Sequence, residues 1–205
     1  MTDLESKLRG LVRTGPEDAS AGAARRTLDR AVSEGLADVC YASLDSPLGP
    51  LLAATTRRGV VQLAYEDGQR DALLERLAAR LSPRVIESSA PMDDLRRQLE
   101  EYFAGERRQF QLELDWELTS SFGRRVLGHT ARVPYGQVIT YGEVAQRAGS
   151  PRGARAAGNA LGANPMPIIV PCHRVLRTGG DLGGYGGGLS RKLYLLELEG
   201  SLLSC

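Results

Sequence analysis

The spacing of apolar residues changes along the chain, and the changes divide it. In residues 1 to 37, "LESKLRGLVR" and "ARRTLDRAVSEGLA" repeat apolar positions at helical spacing on either side of a break, "TGPEDASAGA". This predicts a loosely attached helical extension. From about residue 38, "CYASLDSPLGPLLAATTRRGVVQLAYED" carries Val, Leu and Tyr runs cut by Pro-Leu-Gly-Pro and Arg-Gly, the pattern of a strand meander forming an antiparallel sheet. "QRDALLERLAARL" and "MDDLRRQLEEYFAG" then return to apolar spacings of three and four, and the second has an acidic first turn and a Gly stop. Two amphipathic helices are expected there. In "RRQFQLELDW", Phe110, Leu112 and Leu114 alternate with polar neighbours, which predicts one more strand. Residues 38 to 116 therefore read as a small α/β lobe.

Beyond residue 117 the pattern is helical with short turns: "SSFGRRVLGHTARV", "TYGEVAQRAG" and "RGARAAGNALGAN". Thr140 and Glu143 are spaced as a capping box, and Gly149, Ser150 and Pro151 read as C-cap, N-cap and first-turn proline. Helix, tight turn, helix is the shape of a helix-turn-helix. The second helix is nearly bald, because Gly153, Ala154, Ala156, Ala157, Gly158 and Ala160 leave Arg152 and Arg155 as its only charged reach. Such a helix serves either as a small-residue packing face in a bundle or as a surface that approaches another backbone closely. Residues 117 to 205 form a mostly helical lobe, and the fold class is α+β.

Charge adds little. Lys plus Arg number 26 and Asp plus Glu 25, so no global positive field favours a polyanion, and any nucleic-acid surface is local. Neither end carries an apolar run of the roughly 20 residues a membrane span needs, so a cytoplasmic protein without membrane contact is expected. Cys40, Cys172 and Cys205 are odd in number and lack a CxxC pair, which suggests free thiols and no cysteine zinc site.

The chemistry concentrates in "VPCHRV". A thiolate is the nucleophile at cysteine, so a Cys needs a base or a positive neighbour to react at neutral pH. Cys172, His173 and Glu199 can supply nucleophile, base and orienting carboxylate. Neighbours in an extended segment face apart, so a bridging water between thiol and imidazole is expected. On its own, a Cys-His pair is more often coincidence, and Glu199 more often a surface helix residue.

The surrounding residues change that balance. "NPMPIIVPCHRVLRTGGDLGGYGGGLSRKLYLLELEG" resembles the active-site segment of the O6-alkylguanine-DNA alkyltransferases, with its Asn-Pro, apolar strand, Pro-Cys-His-Arg-Val, Gly-Tyr loop and closing helix. "VPYGQVITYGEVAQRAGSPRGARAAGNA" resembles the DNA-binding helix-turn-helix of the same family, in the same order. The likeness extends over roughly residues 40 to 200. It implies that Cys172 accepts an alkyl group from O6 of guanine, and from O4 of thymine as an alternative lesion. His173 is then the base acting through water, Glu199 its holder and Asn164 the brace of the turn. Tyr141 presses on a phosphate and assists the leaving guanine, while Arg155 fills the stack after base flipping, beside Arg152, Ala156 and Gly158 on the DNA. Tyr185, Leu161, Val175, Leu182, Gly183, Gly186 and Gly187 form the base pocket. The resemblance further implies alkylated double-stranded DNA as partner through the minor groove, a monomer, no cofactor and no metal.

Three departures from the family pattern stand out. Gly186 replaces a longer side chain near O6, "SSFGRRVLGHT" lacks the usual Phe-Gln and Trp, and residues 1 to 37 have no counterpart. Three rival readings remain: a binding module that clamps damaged DNA, a DNA-binding regulator sensing alkylation, and a cysteine hydrolase. Cys172 argues against the first. The chain lacks the added segments of the second and any oxyanion-hole signature for the third.

Overall fold

The computed structural model describes residues 35–201. Most of the extension expected at 1 to 37, and Cys205, lie outside them. The meander forms β1 (Val39–Leu44), β2 (Leu51–Thr56) and β3 (Gly59–Tyr65), with antiparallel pairing of β1 to β2 and of β2 to β3. The two amphipathic patterns fold as α1 (Arg70–Arg80) and α2 (Asp93–Phe103). A short strand between them, β4 (Val85–Glu87), lies parallel to β1, so the sheet runs β3-β2-β1-β4. The sheet is therefore mixed where a purely antiparallel one was expected. The crossover helix α1 allows this, because parallel neighbours need a long connection.

The strand expected in 107 to 116 does not form. That segment makes one isolated parallel bridge, Leu114 to Val60, and Phe110, Leu112 and Leu114 pack against the main core instead. An alternating pattern reports one-sided burial, and a ladder needs a free edge of matching length as well.

The second lobe is built from α3 (Ser121–Thr130), α4 (Tyr141–Arg147), α5 (Ala154–Gly162) and α6 (Leu189–Leu198), with a two-strand parallel pair of β5 (Ile139–Thr140) and β6 (Val175–Leu176). Ser120 caps α3 by accepting from Gly123 N–H at 3.0 Å. The capping box is present: the Thr140 hydroxyl accepts from Glu143 N–H at 3.2 Å, and the Glu143 carboxylate accepts from Thr140 N–H at 2.8 Å. Gly149 ends α4 with φ 79, a value that favours glycine. The start of α5 differs from the sequence reading. Ser150 and Pro151 sit in a turn, the Ser150 carbonyl accepts from Gly153 N–H at 2.8 Å, and Gly153 is the N-cap. One continuous core spans both lobes, from Leu51 and Leu63 on the sheet through Tyr102 on α2 to Val126, Val144 and Leu195. The second lobe's site therefore rests on the first lobe's sheet. Among the described residues no helix is long and apolar enough to cross a membrane.

Candidate active site

The segment leading into the cysteine is not a strand. Residues 165 to 171 run through turns, with Val170 N–H donating to Met166 O at 2.9 Å and Cys172 N–H to Val170 O at 2.8 Å. Ile168 holds φ 74, an outlier for a β-branched residue, and burial pins it there. Cys172, His173 and Arg174 then form one turn of 3-10 helix. This turn, rather than an extended strand, lets successive side chains diverge to different partners.

Cys172 is buried at 7% exposure and borders a cavity of about 590 Å³. The rim includes Tyr141, Arg155 and Gly158 from the helix-turn-helix and Tyr185 and Gly186 from the glycine loop. Asn164 braces the turn with one amide: its Nδ2 donates to Val170 O at 2.9 Å and to Cys172 Sγ at 3.2 Å, and its Oδ1 accepts from Met166 N–H at 3.0 Å. Burial pushes the thiol's pKa up, and the Asn164 bond and the Lys192 cation only partly oppose that. The resting group is a thiol, so nucleophilic attack requires a base.

His173 has the setting such a base needs. His173 is fully buried, its Nε2 lies 3.0 Å from Glu199 Oε1, and its Nδ1 has no hydrogen-bond partner among the described residues. Burial alone would raise the pKa of Glu199, but the bonds from His173 and Arg174 outweigh it and hold the carboxyl at about 2. An ionised Glu199 fixes the proton on Nε2 and leaves the Nδ1 lone pair open. Burial also lowers the His173 pKa, against the pull of Glu199, so the ring is neutral and able to accept.

Glu199 is no surface residue. It terminates α6, is 5% exposed, and receives four donors besides the histidine. Arg174 grips it twice, Nε to Oε2 and Nη2 to Oε1, both at 2.8 Å; Tyr102 Oη donates to Oε1 at 2.7 Å and Gly136 N–H to Oε2 at 3.4 Å. Neither Arg174 nor Tyr102 was singled out in the sequence. The arginine stood in plain view beside the histidine, whereas Tyr102 comes from the other lobe and carried no signal.

Lys192 was missed as well. It is buried with no carboxylate partner among the described residues, and its Nζ donates to Val175 O at 2.7 Å, to Leu182 O, and to Gly184 O at 3.4 Å. Burial lowers its pKa to about 8, with partial compensation from Cys172. Val175 and Leu182, expected in the pocket wall, thus serve from behind it through their carbonyls. Leu161 and Gly186 do border the cavity, and Gly183 stands against the Tyr141 hydroxyl. Gly187 borders a second cavity of about 340 Å³ that also reaches Cys172, and a Cβ there would lie 2.2 Å from the Tyr65 ring. That tyrosine bonds Tyr185 through the two hydroxyls at 2.9 Å, tying the loop to the first lobe.

The bald helix buries one side and exposes the other. Ala157 and Leu161 of α5 are buried, but Arg152, Arg155 and Ala156 are exposed and Gly158 packs on Tyr141. Many surface arginines pair with carboxylates, including Arg58, Arg84, Arg97 and Arg191. Arg152 and Arg155 make no ion pair among the described residues, so both cations are free for an external anion.

The buried pair also sets the acid response. An unfolded His173 binds its proton near 6.5 and an unfolded Glu199 near 4.5, whereas both folded values are lower. The unfolded chain therefore takes up more protons as pH falls, and stability declines. We expect urea midpoints to be flat only between about pH 6.5 and the Lys192 value of about 8, to fall below 6.5 through His173, and to fall more steeply below 4.5 through Glu199 together with Glu101 and Glu143. A flat midpoint down to 4.5 would show that His173 is not held neutral.

Comparison with known proteins follows the same lines. The ribonuclease-like domain model of 6-O-methylguanine DNA methyltransferase matches residues 39–116, and the DNA binding domain model of the same family matches residues 121–201. The methylated-DNA--protein-cysteine methyltransferase of Methanosarcina acetivorans is 39% identical over 161 residues, covering 78% of this chain and 98% of that protein. Its counterpart in Mycobacterium leprae is 43% identical over 162 residues, covering 77% and 90%. A crystal structure of Mycobacterium tuberculosis OGT in complex with DNA superposes with a TM-score of 0.68 at 40% identity, over 79% of this chain and 93% of that one. With both lobes matched by its models and relatives near 40% identity, the chain belongs to the 6-O-methylguanine DNA methyltransferase family.

Proposed function

We propose that this protein repairs DNA by direct reversal, moving an alkyl group from O6 of guanine onto its own Cys172 in a single irreversible event. The observation that carries the reading is the buried thiol at the cavity rimmed by the helix-turn-helix, with Asn164 at 3.2 Å and a neutral imidazole behind it. His173 Nδ1 takes the thiol proton through a bridging water. Sulfur then attacks the alkyl carbon, the C–O6 bond breaks, and its electrons pass to the guanine. The guanine takes a proton at N3 from the Tyr141 hydroxyl, water carries the proton held by His173 back to the phenolate, and the base shifts its own proton to N1, so the products are a thioether, intact guanine and both side chains neutral again. O4-alkylthymine presents the same carbon–oxygen bond and is the second lesion in this reading.

The partner is alkylated double-stranded DNA, entered from the minor groove by α5. A base inside a duplex is unreachable until flipped, and the smooth helix face with two free arginines suits close approach to backbone phosphates. Arg155 fills the vacated stack, with Arg152, Ala156 and Gly158 alongside. Residues 38–116 support the site and residues 117–205 carry the transfer. The protein works as a cytoplasmic monomer without metal or cofactor. Duplex DNA holding one O6-methylguanine tests the core of this reading. Repaired DNA should plateau at one equivalent of protein, and continued turnover overturns it.

Arg155→Ala separates DNA handling from bond making. Unstacking costs a few kcal/mol, so loss of the filler should slow duplex repair by roughly tenfold or more. Reaction with a free O6-alkylguanine base, which has no stack, should stay near the parent rate. Equal slowing on both substrates would assign Arg155 to the pocket or the fold instead.

A further inference from the structure

Outside the residues already given roles, a chain of hydrogen bonds among the described residues connects the first lobe to the nucleophile. Gln62 on β3 is 3% exposed, and both polar atoms of its amide are hydrogen-bonded. Its Oε1 accepts from Arg76 Nη2 at 2.6 Å, and its Nε2 donates to the Pro165 carbonyl at 2.8 Å. The same carbonyl accepts Leu63 N–H at 2.8 Å, from the outer edge of the sheet. Pro165 O and Met166 N belong to one peptide unit. That unit's N–H donates to Asn164 Oδ1 at 3.0 Å, and the far side of the Asn164 amide donates to Cys172 Sγ at 3.2 Å.

The links therefore form a single directed chain: the Arg76 guanidinium, the Gln62 amide, the 165–166 peptide, the Asn164 amide and the sulfur. Each amide accepts on its oxygen and donates from its nitrogen, so all three dipoles run in the same sense along the chain, with the donor end on the Cys172 side. Hydrogen bonds aligned in this way polarise one another, and the effect is larger in a low-dielectric interior. A thiolate gains more from such a donor than a neutral thiol does, because bonds to a charged acceptor are stronger.

We propose that Gln62 is a positioning residue for alkyl transfer, relaying the first lobe's hydrogen bonds through the Asn164 turn to stabilise the Cys172 thiolate. The inference deepens the acceptor role proposed for Cys172 and rests on it. It gives the sheet a chemical duty beyond support, since β3 both fixes the turn and polarises it. Other ionisable groups act on the sulfur too: the Lys192 cation, the phenols of Tyr65, Tyr141 and Tyr185, and the neighbouring His173. All stay in place in the variants below.

Gln62→Leu keeps the volume and removes both links. One hydrogen bond's worth of thiolate stabilisation corresponds to a roughly threefold to tenfold loss. Single-turnover transfer at neutral pH should slow by that factor. The midpoint of its pH profile, and of iodoacetamide labelling of Cys172, should move upward by about half to one unit. Affinity for unmodified duplex should stay within about twofold, since no phosphate contact is lost. Should Gln62→Leu fail to fold, Arg76→Met at the exposed head of the chain should shift both midpoints in the same direction. Gln62→Asn, which retains both amide functions, should recover part of the parent profile. A lowered melting temperature with an unmoved pH midpoint would make Gln62 purely structural and overturn the relay. Parent protein run alongside keeps the two readings apart: if it takes up no alkyl group on Cys172, the acceptor role fails, whereas an unmoved midpoint removes only the relay.

Discussion

Cys172→Ser is expected to abolish alkyl uptake altogether. The substitution changes one atom, keeps the 3-10 turn, and leaves Asn164 and His173 where they are. Yet a serine hydroxyl is far less acidic than a thiol, and alkoxide is not generated at neutral pH by an imidazole of lowered pKa. Intact mass of the parent after reaction with O6-methylguanine DNA should rise by one methyl group, mapped to the peptide holding Cys172. A thioether has no return path to thiolate, so a second dose of DNA should add nothing. The serine variant should show no mass change while retaining affinity for DNA. Cys40 is an internal control, because it is also a buried free thiol but lies on β1 with its pKa raised by burial alone. An adduct on Cys40, or on any other residue of the serine variant, would remove Cys172 from the role of acceptor.

Glu199→Gln is expected to produce the second largest loss, by two separable routes. The first is chemical. A neutral amide no longer fixes the His173 tautomer or balances an imidazolium, and general-base assistance is typically worth about a hundredfold to ten-thousandfold. The second is structural. Arg174 is buried and grips both carboxylate oxygens, so the amide leaves a cation inside the protein with no counter-charge. Breaking one side of a buried pair costs about 3 to 5 kcal/mol, which corresponds to a Tm loss of roughly 10 °C for a chain of this size. The two routes part company in His173→Ala, which should lose most of the transfer rate and much less stability, because Glu199 and Arg174 stay paired. Transfer at the parent rate by the folded fraction of Glu199→Gln would show that Glu199 only holds the fold together.

The convergence on Glu199 also explains why the two lobes share a core. Tyr102, on α2 of the first lobe, donates to the same carboxylate that orients the histidine of the second. Gln62, on β3, bonds the turn that carries Asn164. Arg191 on α6 pairs with Asp67 and lies 4.1 Å from the Tyr65 ring centroid, and Tyr65 in turn bonds Tyr185 on the glycine loop. Three of these contacts thus run from the sheet lobe to the turn that carries Asn164, to the carboxylate beside His173 and to the glycine loop. Each crosses more than 90 positions of sequence.

Much of this architecture was legible in the order of residues. The meander, α1, α2 and the helix-turn-helix all follow from periods of two and 3.6, which the backbone geometry fixes for any residue set. The capping box at Thr140 and Glu143 and the Gly149 stop are equally local, because a cap satisfies donors within one turn of itself. Pro-Cys-His-Arg-Val and its family resemblance pointed to Asn164 and Glu199, and the fold brings the first to Cys172 and the second to His173. Where the reading failed, a distant segment had decided. Phe110, Leu112 and Leu114 alternate as a strand does, but the β3 edge accepts only Leu114 because Pro165 occupies another of its donors. Ser150 and Pro151 have the composition of a helix start, and the turn they form delays α5 to Ala154. β4 joined the sheet in parallel because α1 carries the chain back across it. The partners of buried charge were the least legible of all. Nothing near Lys192 or Arg174 in sequence says that one will be wrapped in carbonyls and the other will grip Glu199. A buried charge must find compensation wherever the fold supplies it, and only the tertiary structure decides which segments meet.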